Sequence, residues 1–128
     1  MTGVQTCALP ISAHDCSTGG LIQTLVDCVL RFGVGASIDL GAVESEEVDD
    51  FTALFSETGA RAVVAVPEAA LPAVAAAAEA EDVPWRRVGT TGGDLLVVTG
   101  TDVLTQAPLV FDLAELRETV EATLPALF

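Results

Sequence analysis

The hydrophobic period changes abruptly at Gly33, and that change limits the folds open to the chain. Before it, Leu21, Leu25, Cys28, Val29 and Phe32 recur at steps of three or four, with Gln23, Thr24, Asp27 and Arg31 elsewhere. That spacing predicts a helix over about 20–32 with one apolar face, closed by Gly33 in the C-terminal glycine position. After it, Val34, Ala36, Ile38 and Leu40 alternate with Gly35, Ser37 and Asp39. That is the period of a strand buried on one side. A helix feeding a half-buried strand requires layered α/β packing.

The rest of the chain is consistent with that reading. Residues 13–20 read as a loop feeding the first helix, with Ser17 or Thr18 as its cap. A short helix is expected over 50–55 and a turn over 56–60. The apolar run RAVVAV at 61–66 has the length of a central strand. Pro67 and Glu68 open an Ala-rich helix to about 80, with Pro72 tolerated near its first turn. Residues 85–89 and 94–99 read as two strands joined in a hairpin at Gly92-Gly93. Residues 109–111 add an edge strand. Asp112 and Glu115 form a capping box for a last helix with the stripe Leu113, Leu116, Val120 and Leu124. The expected architecture is an α/β sandwich: one mixed sheet with helices mainly on one face, in a single domain over 13–128.

Hydrophobic residues make up 51% of the chain, with only five Phe and one Trp, so the core must be aliphatic. The formal charge is −14, and all five basic residues are Arg. Such a surface repels phosphate backbones and anionic lipid headgroups, which excludes nucleic acid and membrane surfaces as partners. Three cysteines without a CxxC spacing argue against a disulfide scaffold or a zinc site. A reduced, cytoplasmic protein is the expectation. Residues 1–12, MTGVQTCALPIS, lack the basic start and apolar core of a signal peptide. They resemble a translated sequencing adapter and are expected to be an artefactual segment that packs poorly, leaving Cys7 without a role.

Few residues suggest chemistry. Gly19-Gly20 at a helix start lets backbone N–H groups approach an anion, with Ser17 and Thr18 as hydroxyl donors. Asp15 could orient that loop or hold a metal-bound water. The competing reading is a tight helix entry with no ligand. Ser56, Glu57 and Thr58 form a turn that either contacts a ligand or only reverses the chain. Arg61 could pair with Glu57 or with a phosphate. His14, the only histidine, reads as structural, and no third group orients it with Cys16 as a thiol catalyst. The acidic stretch Glu44, Glu46, Glu47, Asp49 and Asp50 lacks the glycine and terminal glutamate of a calcium loop and reads as solvated. No catalytic residue and no metal ligand is assigned.

Several segments together resemble one family. AHDCSTGGL at 13–21 is similar to the AHDxSDGGL that opens the last domain of phosphoribosylformylglycinamidine synthase. GVGASIDL fits the strand that follows. LFSETGARAVVAVP resembles that family's LFSESxGRxxVxVP, WRRVGTTGGDLLVV its RIGxxGGDxLxV, and DLAELRETVEATLPALF its closing helix. The resemblance covers 13–128 in colinear order.

It implies a domain of the aminoimidazole ribonucleotide synthetase C-terminal type. It also implies a ligase that converts formylglycinamide ribonucleotide to the amidine with ATP, Mg2+ and glutamine-derived ammonia. The implied partners are the missing upstream domains, a glutaminase subunit and a small bridging subunit. The catalytic histidine and the principal magnesium ligands of the family lie upstream, so this piece is expected to be inactive alone. The implied nucleotide or phosphate contacts are Asp15, Ser17, Thr18, Gly19, Gly20, Ser56, Glu57, Thr58 and Arg61, facing a site that is either functional or structural. Thr18 stands where the family has Asp, which weakens metal coordination there, and Ala60 stands where it has Gly. Alternatives are a domain of another superfamily member, such as aminoimidazole ribonucleotide synthetase, thiamine-monophosphate kinase or selenophosphate synthetase, against which FSExxxR argues, or a non-enzymatic binding or assembly module of the same fold.

Overall fold

A computed structural model describes residues 12–42, 49–100 and 107–127. Among these residues six strands and four α-helices follow in the order β1 (Ser12–Asp15), α1 (Gly20–Phe32), β2 (Ala36–Asp39), α2 (Asp50–Phe55), β3 (Ala62–Ala65), α3 (Leu71–Ala80), β4 (Gly89–Thr91), β5 (Leu95–Thr99), β6 (Leu109–Asp112) and α4 (Leu113–Leu127). The mixed α/β class is the expected one. The single sheet is not seen among the described residues: there β1 pairs with β3, and a four-stranded sheet runs β4-β2-β5-β6.

Helix α1 has the predicted bounds, and Gly33 closes it in the left-handed region at φ 66. Its face of Leu21, Leu25 and Val29 packs with the inward side chains of β2 and β5, namely Ala36, Ile38, Leu96 and Val98. Leu40, Leu54 and Leu113 complete this aliphatic core. The stripes end earlier than their periods suggest. Phe32, Val34 and Val120 are exposed, and Cys28 is only half-buried. Leu124 lies outside the described side chains, as do residues 1–11 and the acidic residues 44–47.

Local chemistry set several boundaries. Asp49 caps α2, its side chain accepting from the Thr52 N–H at 2.8 Å, and its neighbour Asp50 is fully buried rather than solvated. The Asp112 carboxylate accepts from the N–H groups of Ala114 and Glu115 at 2.9 and 3.2 Å, capping α4 as expected. Pro72 sits in the first turn of α3, where a missing N–H costs nothing.

Three strand expectations fail, each because pairing is decided at long range. Residues 13–15, read as loop, form part of β1, in register with β3 through Ala13–Val64, His14–Val63 and Asp15–Ala62. His14 and Asp15 show no alternation, so only the partner strand recruits them. Among the described residues, strand β3 pairs with β1 alone rather than between two strands, and its residues are half-buried along their whole length. Finally, residues 85–88 are irregular, and β4 and β5 are not a hairpin. Strand β2 lies between them, antiparallel to β4 and parallel to β5.

The Gly92-Gly93 segment therefore straddles the start of β2. The Gly35 N–H donates to the Gly93 carbonyl at 2.8 Å, and the Gly92 N–H donates to the Gly35 carbonyl at 2.8 Å. A Cβ on Gly35 would meet the Leu95 carbonyl oxygen, and would lie 2.7 Å from Leu95 N and 2.9 Å from the Gly92 carbonyl oxygen. Glycine is what allows three backbone segments to meet there.

Candidate functional site

The head of α1 meets the end of α2. Gly19 and Gly20 both adopt left-handed backbone, at φ 86 and 73. A Cβ on Gly20 would lie 2.6 Å from the Leu54 carbonyl oxygen and 2.9 Å from Phe55 Cα. The second glycine is thus needed both for its conformation and for the close approach of two helix ends. Thr24, one turn along α1 and buried, donates its hydroxyl to the Gly20 and Asp15 carbonyls at 3.1 and 3.3 Å. This polar anchor was not singled out from the sequence; its signal is a threonine four residues after a glycine helix start.

The expected caps do not form. The cap position of α1 is Gly19, not Ser17 or Thr18, whose side chains are exposed. Instead, Glu57 reaches across from the turn after α2, and its Oε1 accepts the Gly19 N–H at 2.7 Å. A carboxylate at a helix N-terminus satisfies an orphan donor and faces the positive end of the dipole. The turn is braced by the Ser56 and Thr58 hydroxyls, 2.6 Å apart. Arg61 donates Nη2 to the Ser56 carbonyl at 2.6 Å, which ties the guanidinium to the start of the turn. Its Nε is buried without a hydrogen-bond partner among the described residues. The Cys16 N–H donates to the Arg61 carbonyl at 2.8 Å, tying β1 to the start of β3. Ala60 takes φ 61, a left-handed strain of about 1–2 kcal/mol that a glycine would avoid.

The structure therefore brings the Ser17–Gly20 loop against the turn that carries Ser56, Glu57 and Thr58, with Arg61 bonded to that turn. Asp15 lies beside it at the end of β1, and no bond joins the Thr18 side chain to the group among the described residues. The Gly19 N–H is held by Glu57, and the Gly20 N–H donates to the Ser17 carbonyl at 3.1 Å. As placed, the Gly19 N–H is not open to a phosphate, because the Glu57 carboxylate accepts it. Nearby, His14 Nδ1 lies 2.6 Å from the Asp15 carbonyl oxygen and Nε2 lies 3.8 Å from Asp27 Oδ2. Asp27 also accepts from Gln23 Nε2 at 2.8 Å. Burial pushes the Cys28 thiol above its ordinary pKa, with Asp27 and Cys16 adding to the rise and Arg31 opposing it.

An α/β domain with a glycine-headed helix clasped by a glutamate from a neighbouring turn is a scaffold that fixes one loop cluster against a mixed sheet. It belongs to the family described as AIR synthase related protein, C-terminal domain, whose profile matches residues 7–101. The chain is 46% identical over 120 residues to phosphoribosylformylglycinamidine synthase subunit PurL of Thermobifida fusca, covering 94% of this chain and 14% of the relative. It is 47% identical over 117 residues to the protein of the same name in Frankia casuarinae, covering 91% and 14%. The chain thus spans about one-seventh of the length of these relatives. Among solved structures, T. maritima PurL complexed with ATP shares the fold at TM-score 0.67 and 18% identity, over 84% of this chain and 18% of that one. No helix among the described residues is long and apolar enough to cross a membrane.

Proposed function

We propose that the chain is the C-terminal domain of a phosphoribosylformylglycinamidine synthase and serves the ligase only as part of the whole subunit. The observation that carries this reading is likeness along nearly the whole chain, 94% of it at 46% identity, to relatives of which it spans only 14%. The assembled enzyme would form the amidine of formylglycinamide ribonucleotide in purine biosynthesis, in the cytoplasm, with a glutaminase subunit and a bridging subunit supplying ammonia. ATP and Mg2+ would serve that whole enzyme. Within the domain, Asp15, Ser17, Thr18, Gly19, Gly20, Ser56, Glu57, Thr58 and Arg61 are proposed to face the nucleotide side, and ligand contact there requires Glu57 to turn away.

A second reading, a non-enzymatic assembly module, is favoured by one observation: the glycine loop and the serine–glutamate turn already satisfy each other. Two assays separate the readings. The purified chain, given substrate, ATP, Mg2+ and ammonia, is expected to form no amidine, and measurable turnover would overturn its reading as an inactive piece. Grafted in place of the matched segment of the Thermobifida fusca subunit, it is expected to support turnover. A folded but inactive graft would favour the assembly module.

A further inference from the structure

The peptide that joins Asp15, the last residue of β1, to Cys16 is held by three partners. Its carbonyl accepts the Thr24 hydroxyl at 3.3 Å and lies 2.6 Å from His14 Nδ1. A carbonyl oxygen can only accept, so Nδ1 carries the proton in that contact. The peptide N–H donates to the Arg61 carbonyl at 2.8 Å. Of these partners only Thr24 belongs to α1. It is 2% exposed, and its single hydroxyl proton is shared with the Gly20 carbonyl at 3.1 Å. A threonine inside a helix bonds its own i−4 carbonyl without help from a strand. The second acceptor, nine positions before it, is what sets Thr24 apart. The loop 16–19 therefore begins and ends on one hydroxyl. The Asp15 side chain is 78% exposed, with Oδ1 3.9 Å from His14 Nδ1. The direction of that carboxylate is set by the backbone that carries it.

We propose that Thr24 is a positioning residue of the synthase: by fixing the Asp15–Cys16 peptide against Gly20, it sets the direction of the Asp15 carboxylate and the span of the glycine loop on the nucleotide side. This rests on the ligase-domain reading above. Thr24 is buried and touches no ligand itself; it acts through Asp15 and Gly20. Valine at this position keeps the branched shape and the helix, but leaves the Asp15 carbonyl with one donor fewer. Serine keeps the donor and gives up only the methyl group.

Thr24→Val and Thr24→Ser are prepared in the 128-residue chain and in the Thermobifida fusca subunit carrying this chain in place of its matched segment. Thr119→Val is the control, because it removes a hydroxyl bond of 2.9 Å to an i−4 carbonyl on α4. In the free chain, hydrogen exchange at the Cys16 amide is expected to quicken by about five-fold or more in Thr24→Val and to stay within about two-fold of native in Thr24→Ser, with the Val97 amide of β5 as reference. In the whole subunit, Thr24→Val is expected to raise KM for ATP by about five-fold with kcat changed by less than about two-fold. Thr24→Ser restores the KM, and Thr119→Val changes neither constant. Native exchange at Cys16 in Thr24→Val would show that the hydroxyl holds nothing and would overturn the proposal. Faster exchange with an unchanged KM would also overturn it, by leaving Thr24 a purely structural residue. A fall in kcat that serine does not rescue would do the same. Where the whole segment prevents the subunit from folding, residues 12–32 alone are exchanged. A folded graft with native Thr24 that forms no amidine sinks the ligase reading and the positioning role with it, while an active graft indifferent to Thr24→Val sinks the positioning role alone.

Discussion

Gly35→Ala tests the strand order most directly. The new Cβ would meet only backbone: the Leu95 carbonyl oxygen, Leu95 N at 2.7 Å and the Gly92 carbonyl oxygen at 2.9 Å. No side chain can rotate aside, so β2 and β5 must part by several tenths of an ångström. Overpacking of this kind costs about 1–3 kcal/mol. The two 2.8 Å hydrogen bonds joining Gly35 to Gly92 and Gly93 are strained by the same shift, at about 1 kcal/mol each. The total, about 3–5 kcal/mol, is a large part of the roughly 5–15 kcal/mol that holds a domain folded.

In urea, with a slope of about 2 kcal/mol per molar, the midpoint falls by about 2 M. Far-UV circular dichroism across a urea series measures it. Gly33→Ala is the control, since its φ is 66 and nothing lies within 4 Å of the added Cβ. It carries backbone strain alone, about 1–2 kcal/mol. If β4 and β5 formed the hairpin that their sequence suggests, Gly35 would not be sandwiched, and Gly35→Ala would cost less than Gly33→Ala. That ordering would refute the reasoning.

Two further outcomes follow from the site. Glu57→Ala removes the acceptor of the Gly19 N–H and is expected to cost about 0.5–1.5 kcal/mol, while Glu57→Gln retains an oxygen acceptor and costs less; urea midpoints and the Gly19 amide resonance check this, and an unchanged midpoint in Glu57→Ala would remove the clasp. Cys28 is held above the ordinary thiol value of 9.0, chiefly by burial, so its contribution to stability is full below that value and is lost as pH rises through the raised one; urea midpoints across alkaline pH should fall in the native chain and fall less in Cys28→Ala.

How much was legible can be argued from particular residues. The stripe Leu21, Leu25 and Val29, the stop at Gly33 and the alternation Ala36, Ile38, Leu40 are short-range patterns, and the structure keeps them. The capping of α4 by Asp112 is equally local. The meeting of Gly19-Gly20 with Ser56–Thr58 was visible only through the resemblance to a family, because the Gly19–Glu57 bond spans 38 positions. That a carboxylate would take the amide offered by the glycine loop was not legible, since the turn's residue types suit a ligand contact and a clasp equally well.

By itself, then, the sequence determined the periods: which segments coil, which extend, where glycine and proline interrupt them, and which faces are apolar. Tertiary structure alone decided who pairs with whom. It placed β2 between β4 and β5, paired β3 with the unpatterned β1, and left Val110 and Leu95 facing out. The physical reason is range. A side-chain period is read within a few residues, whereas strand neighbours are chosen by hydrogen bonds and packing between segments dozens of residues apart, whose joint geometry no local pattern encodes.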